Sequence, residues 1–395
     1  MNDVVILGVG MTKCGKFVDR SLHDMAKIAV TGALEESGIS QAHVQAAYCG
    51  NLLSPWGFHA EHIFNFTGVI GQALLSPLGF GAIPVHNTRN ACGTAGAAFQ
   101  LAYMDIAAGF HDCVLVLSVE KGYLPDRDQY LRMMSPPPEE GSDKRSFSAP
   151  LEQQASRCRD YMRKYGLTRE QIAWVSSKNH MNASLNPLAQ YQKPYSVEDV
   201  LADKPVIDPF TRCMCAPNGD GGAAAILCSA GFARKYTSHP LFVATSAMQT
   251  GRERFDPEQP NLDERVAKEA LHRAGVDPGD IGVLEVSDAT PWTEITAYWA
   301  VGLCAKEDAP AFIDSQATAL AGRHPVNTSG GMESRGEPFG ATGMLQIAEV
   351  VWQMRGRCGA RQVAGPPKIG FTQIVGGWLG WEAEDAVCSA SVFKR

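Results

Sequence analysis

No stretch of about 18 apolar residues occurs in the 395-residue chain, so a membrane-spanning helix is not expected. There is also no basic run of the kind that follows a phosphate backbone. Lys and Arg number 35 against 42 Asp and Glu, a formal net charge of −7, which argues against nucleic acid as a partner. A cysteine framework is missing too. The eleven cysteines are odd in number and scattered, and the tightest pair, Cys213-x-Cys215, matches no common zinc-site spacing. No metal site is therefore expected, and this cysteine usage fits a reducing, cytoplasmic setting better than a disulfide scaffold. Residues 1–15 read as a short strand followed by glycines, without the basic start of a signal peptide.

What is present is a hydrophobic content of 45%, enough for a large core in an α/β protein of two domains or one duplicated unit. The stretch from Asn87 to Gly122 organises the rest. A run of small residues, Ala91-Cys92-Gly93-Thr94-Ala95-Gly96, lets backbone approach something closely. A helix is expected over Ala97 to Ala108, stopped by Gly109, and then a buried strand at Val114 to Leu117. Cys92 thus sits where a loop turns into a helix N-terminus, a place that favours thiolate over thiol. Two readings of Cys92 are open on placement alone: a nucleophile, or a small buried filler.

Along the chain, Val4 to Val9 is the first strand. Ser21 caps a helix ending at Ser37 and Gly38, and a strand lies near Gln45 to Cys49. The polar-aromatic stretch Gly50 to Asn65 holds Trp56, His59 and His62. An inserted loop domain is expected over about 123–205, with Tyr123, Arg127, Tyr130, Arg157 and Tyr161 as candidate contacts to a ligand or partner. Within it, Lys178 to Leu201 reads as irregular and polar, then briefly helical. Asp220 to Cys228 returns to the buried-strand pattern.

The second half then repeats the first. Ala270-Leu271…Ala274-Gly275-Val276 follows the spacing of Ala33-Leu34…Ser37-Gly38-Ile39, and Phe339-Gly340-Ala341-Thr342-Gly343 parallels the Cys92 loop. Two matches in the same order argue for duplication. The halves are taken as 1–229 and 230–395. Their loop–helix junctions are expected to face each other across one cleft, bringing Cys92 to the 327–343 loop.

The Cys92 stretch, the duplication and the run Val326-Asn327-Thr328-Ser329-Gly330-Gly331…Gly336-Glu337-Pro338-Phe339-Gly340 resemble the thiolase superfamily, and within it the sterol-carrier-protein-2-type branch. The resemblance covers essentially the whole chain. It implies a five-layer αβαβα fold, a tight homodimer, an acyl-cysteine intermediate on Cys92, and coenzyme A as co-substrate with no bound cofactor. Three departures stand out. The family's G-H-P histidine is replaced by Glu337. The H-D-C-F or N-E-A-F motif reads Ser287-Asp288-Ala289-Thr290. The C-x-G loop that carries a second cysteine reads Thr372-Gln373-Ile374-Val375-Gly376-Gly377.

The chemistry left by these departures assigns the backbone N–H of Cys92 and Gly376 to an oxyanion hole. Glu337 is either the proton relay for Cys92, its pKa raised by burial, or a structural carboxylate. Ser287 and Gln373 either donate hydrogen bonds to substrate or fill space. His86, His180, Ser329 and Gly330 are candidate substrate contacts, against the reading that each is structural. Three functions follow. The first is thiolytic cleavage of a bulky 3-oxoacyl-CoA, aromatic or dicarboxylic, such as a 2-benzoylsuccinyl type. The second is a retro-aldol lyase on a steroid-type side-chain hydroxyacyl-CoA, working beside a small zinc-ribbon/OB-fold (DUF35) subunit in a heterotetramer. The third is a non-catalytic subunit that binds CoA esters or scaffolds a partner.

Overall fold

Val4–Met11 (β1) is buried at every position, as a strand covered on both faces must be. The computed structural model describes residues 2–53, 68–126 and 149–395; Trp56, His59, His62, Arg127 and Tyr130 lie outside the described residues. Eight further strands join β1: Ala46–Gly50 (β2), Val85–Thr88 (β3), Cys113–Lys121 (β4), Asp220–Ser229 (β5), Leu241–Thr250 (β6), Val283–Glu285 (β7), Ile369–Trp378 (β8) and Asp385–Lys394 (β9). Their spatial order is β3-β2-β4-β5-β1-β6-β9-β8-β7.

That order is one pattern used twice. In the first half β2 pairs in parallel with β3 and β4, and β5 runs antiparallel to both β4 and β1. In the second half β7 pairs in parallel with β8, and β9 runs antiparallel to both β8 and β6. A parallel bridge from Val326 to Leu284 takes the place of β3. The halves join where Val4–Ile6 meets Leu241–Val243. Duplication is thus written in the hydrogen-bond ladder as well as in the helix endings.

The longer helices are Leu22–Ser37 (α1), Thr94–Ala108 (α2), Ala149–Tyr165 (α3), Arg169–Ser184 (α4), Leu262–Ala274 (α5), Pro291–Val301 (α6) and Thr342–Met354 (α7). Helix α1 begins at a reciprocal cap. The Ser21 hydroxyl accepts the Asp24 N–H at 3.1 Å, and the Asp24 carboxylate accepts the Ser21 N–H at 3.0 Å. The apolar face of α1 covers one side of the first-half strands and forms a core of its own. Helices α2 and α7 pack together between the two halves of the sheet. Helix α5 covers the outer side of the second half, in a core shared with α3, α4 and α6. With the two halves of the nine-stranded sheet counted separately, helix, half-sheet, helices, half-sheet, helix are the five layers that the resemblance implies.

Two elements differ from expectation. Helix α2 begins at Thr94, not Ala97, because Thr94, Ala95 and Gly96 form its first turn. The absence of a side chain at Gly96 brings that turn onto Ser389 of β9, where a Cβ would collide with the hydroxyl. Helix α4 runs through to Ser184 and so contains Lys178, Asn179 and His180, which the sequence assigns to an irregular segment. Their polarity hides a buried face: Lys178 forms an ion pair with Glu294 of α6 at 2.7 Å, both almost fully buried.

Candidate active site

The turn ahead of α2 is locked by one side chain. Thr94 Oγ1 accepts the Asn90 N–H at 2.7 Å and donates to the Ala91 carbonyl at 2.6 Å. Ala91 adopts φ +48°, and Cys92 follows at the mouth of the helix. Gly376 of β8 backs this turn. A methyl group there would lie 2.5 Å from the Gly93 amide nitrogen and 2.7 Å from that of Cys92, so only glycine fits.

Glu337 comes from the second half. The turn before it is held by Asp288, whose carboxylate accepts the N–H groups of Met332 at 2.7 Å and Glu333 at 3.3 Å. Fully buried Arg335 contacts Glu285 at 3.3 Å and Ser329 Oγ at 3.1 Å. The chain then passes through Gly336 at φ +110°, and the Glu337 N–H donates to the Pro217 carbonyl at 3.3 Å. These ties place Glu337 Oε1 3.6 Å from Cys92 Sγ.

The pair has a defined resting state. Burial raises the Glu337 carboxyl to about 7, against the opposing pull of the Cys92 hydrogen bond and the Arg335 charge. Burial, and then the charge of Glu337, push the Cys92 thiol well above its ordinary value. Burial thus opposes the thiolate that a helix N-terminus favours. Burial is the larger cause and the Glu337 charge the next, and the thiol donates toward Glu337 Oε1.

Cys92, Glu337, Ser287, Gln373 and Gly376 all line one cavity of about 1060 Å³. Ser287 Oγ accepts the Val375 N–H at 2.8 Å, fastening β8 to the loop after β7. The Gln373 amide donates to the Asp263 carbonyl at 3.3 Å and to Cys388 Sγ at 3.6 Å. One wall is aromatic: Tyr161 stacks on Trp299 at 5.2 Å and meets Trp292 at 5.2 Å. Arg157, Lys164 and Lys306 supply positive charge around the same space.

The other candidates lie elsewhere. His180 is buried between the Cys213 carbonyl at 3.0 Å and Ser334 Oγ at 2.6 Å. Ser329 donates to Glu285 at 2.6 Å, and Gly330 sits against Ala183. His86 is exposed on β3, stacked on Tyr48. None of these four lines the cavity. Arg157 and Tyr161 of α3 do, whereas Tyr123 donates its N–H to Asp220 at 2.8 Å outside it. Trp292, Trp299 and Asp263 are cavity residues that the sequence reading did not name. The two tryptophans recur at helical spacing within an apolar helix and so look like core. Asp263 looks like an ordinary first-turn acid complementing a helix dipole.

The family descriptions "Thiolase, N-terminal domain" and "Thiolase C-terminal domain-like" match residues 4–199 and 253–385. The chain is 37% identical over 388 residues to an acetyl-CoA acetyltransferase of Methanothermobacter thermautotrophicus, covering 97% of this chain and 98% of that protein. The chain belongs to the thiolase family. It is 30% identical over 384 residues to the benzoylsuccinyl-CoA thiolase subunit BbsB of Thauera aromatica, covering 95% and 94% of the two chains. Among solved structures the Ltp2-ChsH2(DUF35) aldolase shares the fold, with a TM-score of 0.79, 22% identity, and 99% and 97% of the chains covered. As a thiolase, the protein is an acyl-CoA acyltransferase, and coenzyme A is the co-substrate of its family. No helix among the described residues is long and apolar enough to cross a membrane.

Proposed function

We propose that this thiolase cleaves a bulky 3-oxoacyl-CoA, aromatic or dicarboxylic as in the 2-benzoylsuccinyl type, with coenzyme A through an acyl-Cys92 intermediate. The observation that carries the reading is the 3.6 Å approach of Cys92 Sγ to a carboxylate raised to about 7, inside a large cavity. Glu337 accepts the thiol proton as sulfur attacks the 3-oxo carbonyl. The N–H groups of Cys92 and Gly376 stabilise the oxyanion. The carbon–carbon bond then breaks, the acyl group stays on sulfur, and Glu337 returns its proton to the departing enolate of the shortened acyl-CoA. In the second half-reaction Glu337 takes the proton of the CoA thiol, which attacks the thioester, and passes it to the Cys92 thiolate. One carboxyl serves both directions, as a group with pKa close to ambient pH can.

The cavity volume and the Tyr161–Trp292–Trp299 wall support a bulky acyl group, and Lys164 and Lys306 suit the phosphates of CoA. The relationship to a benzoylsuccinyl-CoA thiolase subunit supports the same class. We infer a homodimer through edge strand β3, which packs on α2, the helix that carries the exposed Leu101 and Met104. A DUF35-type subunit completing a heterotetramer fits the fold shared with a DUF35-associated aldolase. Eleven free cysteines suit a cytoplasmic, reducing setting. The second reading, retro-aldol cleavage, is favoured by that same fold likeness and by the missing second cysteine. It needs no nucleophile at Cys92. Cys92→Ala separates the two: thiolytic turnover is expected to fall by several orders of magnitude with the fold intact. Carbon–carbon cleavage at near wild-type rate in this variant would select the lyase.

A further inference from the structure

Glu120, near the end of β4, is fully buried and no step above uses it. Its carboxylate is surrounded by donors. Oε2 accepts the Leu52 N–H at 2.8 Å, and Oε1 accepts the Leu53 N–H and Asn51 Nδ2, each at 3.1 Å. The Gly340 amide donates to it from the second half, where a Cβ at Gly340 would lie 2.8 Å from Oε2 and 3.0 Å from Leu52 Cβ. A carboxylate that collects N–H groups from two separate turns is a tie between them. One turn follows β2 and brings Leu52 to the cavity. The other, Pro338 to Gly340, continues directly from Glu337.

Resting on the acyl-cysteine reading, we infer that Glu120 is the positioning residue that fastens these two turns together and so sets Glu337 opposite Cys92. Two further observations agree. The Glu120 charge is among those that raise the Cys92 thiol, so the carboxylate is within electrostatic reach of the sulfur. Burial raises Glu120 itself to about 7, opposed by the amides of Leu52, Leu53 and Gly340. The other charged groups around it are accounted for. Lys121 and Asp220 pair with each other at 3.0 Å across β4 and β5, Arg335 is turned to Glu285, and Glu337 faces Cys92. Glu120 therefore has two separable effects on Cys92: it holds the base in place, and its negative charge opposes thiolate formation.

The test is Glu120→Gln, read by steady-state turnover and by the pH dependence of Cys92 alkylation with iodoacetamide. The amide removes the charge and sets an NH₂ group against backbone donors. The kcat is expected to fall about 10- to 100-fold with KM changed less than about threefold, while the alkylation midpoint moves to lower pH. A merely structural residue would not give a slower enzyme with a more reactive thiol. A folded variant with wild-type kcat and an unmoved midpoint overturns the inference. Glu120→Asp keeps the charge but shortens the tie. It is expected to lose turnover with the midpoint near wild type, and wild-type turnover there would also overturn the inference. Alkylation requires no acyl transfer, so these outcomes remain readable if the acyl-cysteine reading itself fails.

Discussion

At the scale of single residues, the account turns on Glu337 standing where thiolases place a histidine. Its raised carboxyl has a consequence for rate. Below about pH 7 the group is protonated and cannot accept the thiol proton, so turnover should fall as pH drops through that value. Glu337→Gln should abolish this acidic limb and slow the reaction by roughly 10²–10⁴-fold, and a variant that keeps both rate and limb would make the carboxylate structural. It also has a consequence for stability. The folded state favours the protonated form, so the contribution of Glu337 to stability is fully present below the unfolded pKa and is lost as pH rises toward about 7. Above that, burying the charge costs up to about 3 kcal/mol. Glu337→Gln should therefore melt at higher temperature than wild type at pH 8 and show no such gain near pH 4.5. Cys92, Glu337 and Gly376 could be brought to one cavity from sequence because each has glycine beside it, Gly93, Gly336 and Gly377, in the stretches that carry the family resemblance. The sequence left His180 open between substrate contact and structure, because no sequence pattern reveals that the imidazole is spent on Ser334 and a backbone carbonyl.

At the scale of elements, the site depends on how closely β8 approaches the start of α2. Gly376→Ala inserts a methyl 2.5 Å from the Gly93 nitrogen and 2.7 Å from that of Cys92, so the strand or the catalytic turn must move. We expect kcat to fall by at least about 100-fold, the order of a lost oxyanion donor, with circular dichroism unchanged; wild-type kcat would remove Gly376 from the oxyanion hole. Helix α1 was legible nearly to the residue, since a serine cap, a 3.6-residue apolar period and a glycine stop all agree. The later part of helix α4 was not, because Lys178, Asn179, His180 and Asn182, which hydropathy scores as surface, are buried there. The tryptophans of α6 failed for the opposite reason: a cavity wall and a core look alike in sequence.

At the scale of the whole molecule, the repeated helix endings foretold a repeated ladder, and the ladder explains why one cleft draws its residues from both halves. The edge at β3, one of the two ends of the nine-stranded sheet among the described residues, predicts association. Sedimentation at micromolar concentration should give a dimer, and a glutamate at Met104, 53% exposed on the helix that packs on that edge strand, should shift the population toward monomer. A stable wild-type monomer would contradict this edge as an interface. The central claim remains that acyl groups pass through Cys92. Intact-protein and peptide mass spectrometry after brief exposure to aromatic and dicarboxylic 3-oxoacyl-CoA esters, without free CoA, tests it most directly. The account predicts a covalent acyl mass on the Cys92 peptide alone, absent in Cys92→Ala and discharged on adding CoA. Carbon–carbon cleavage of those esters with Cys92 unmodified under every quench would contradict it.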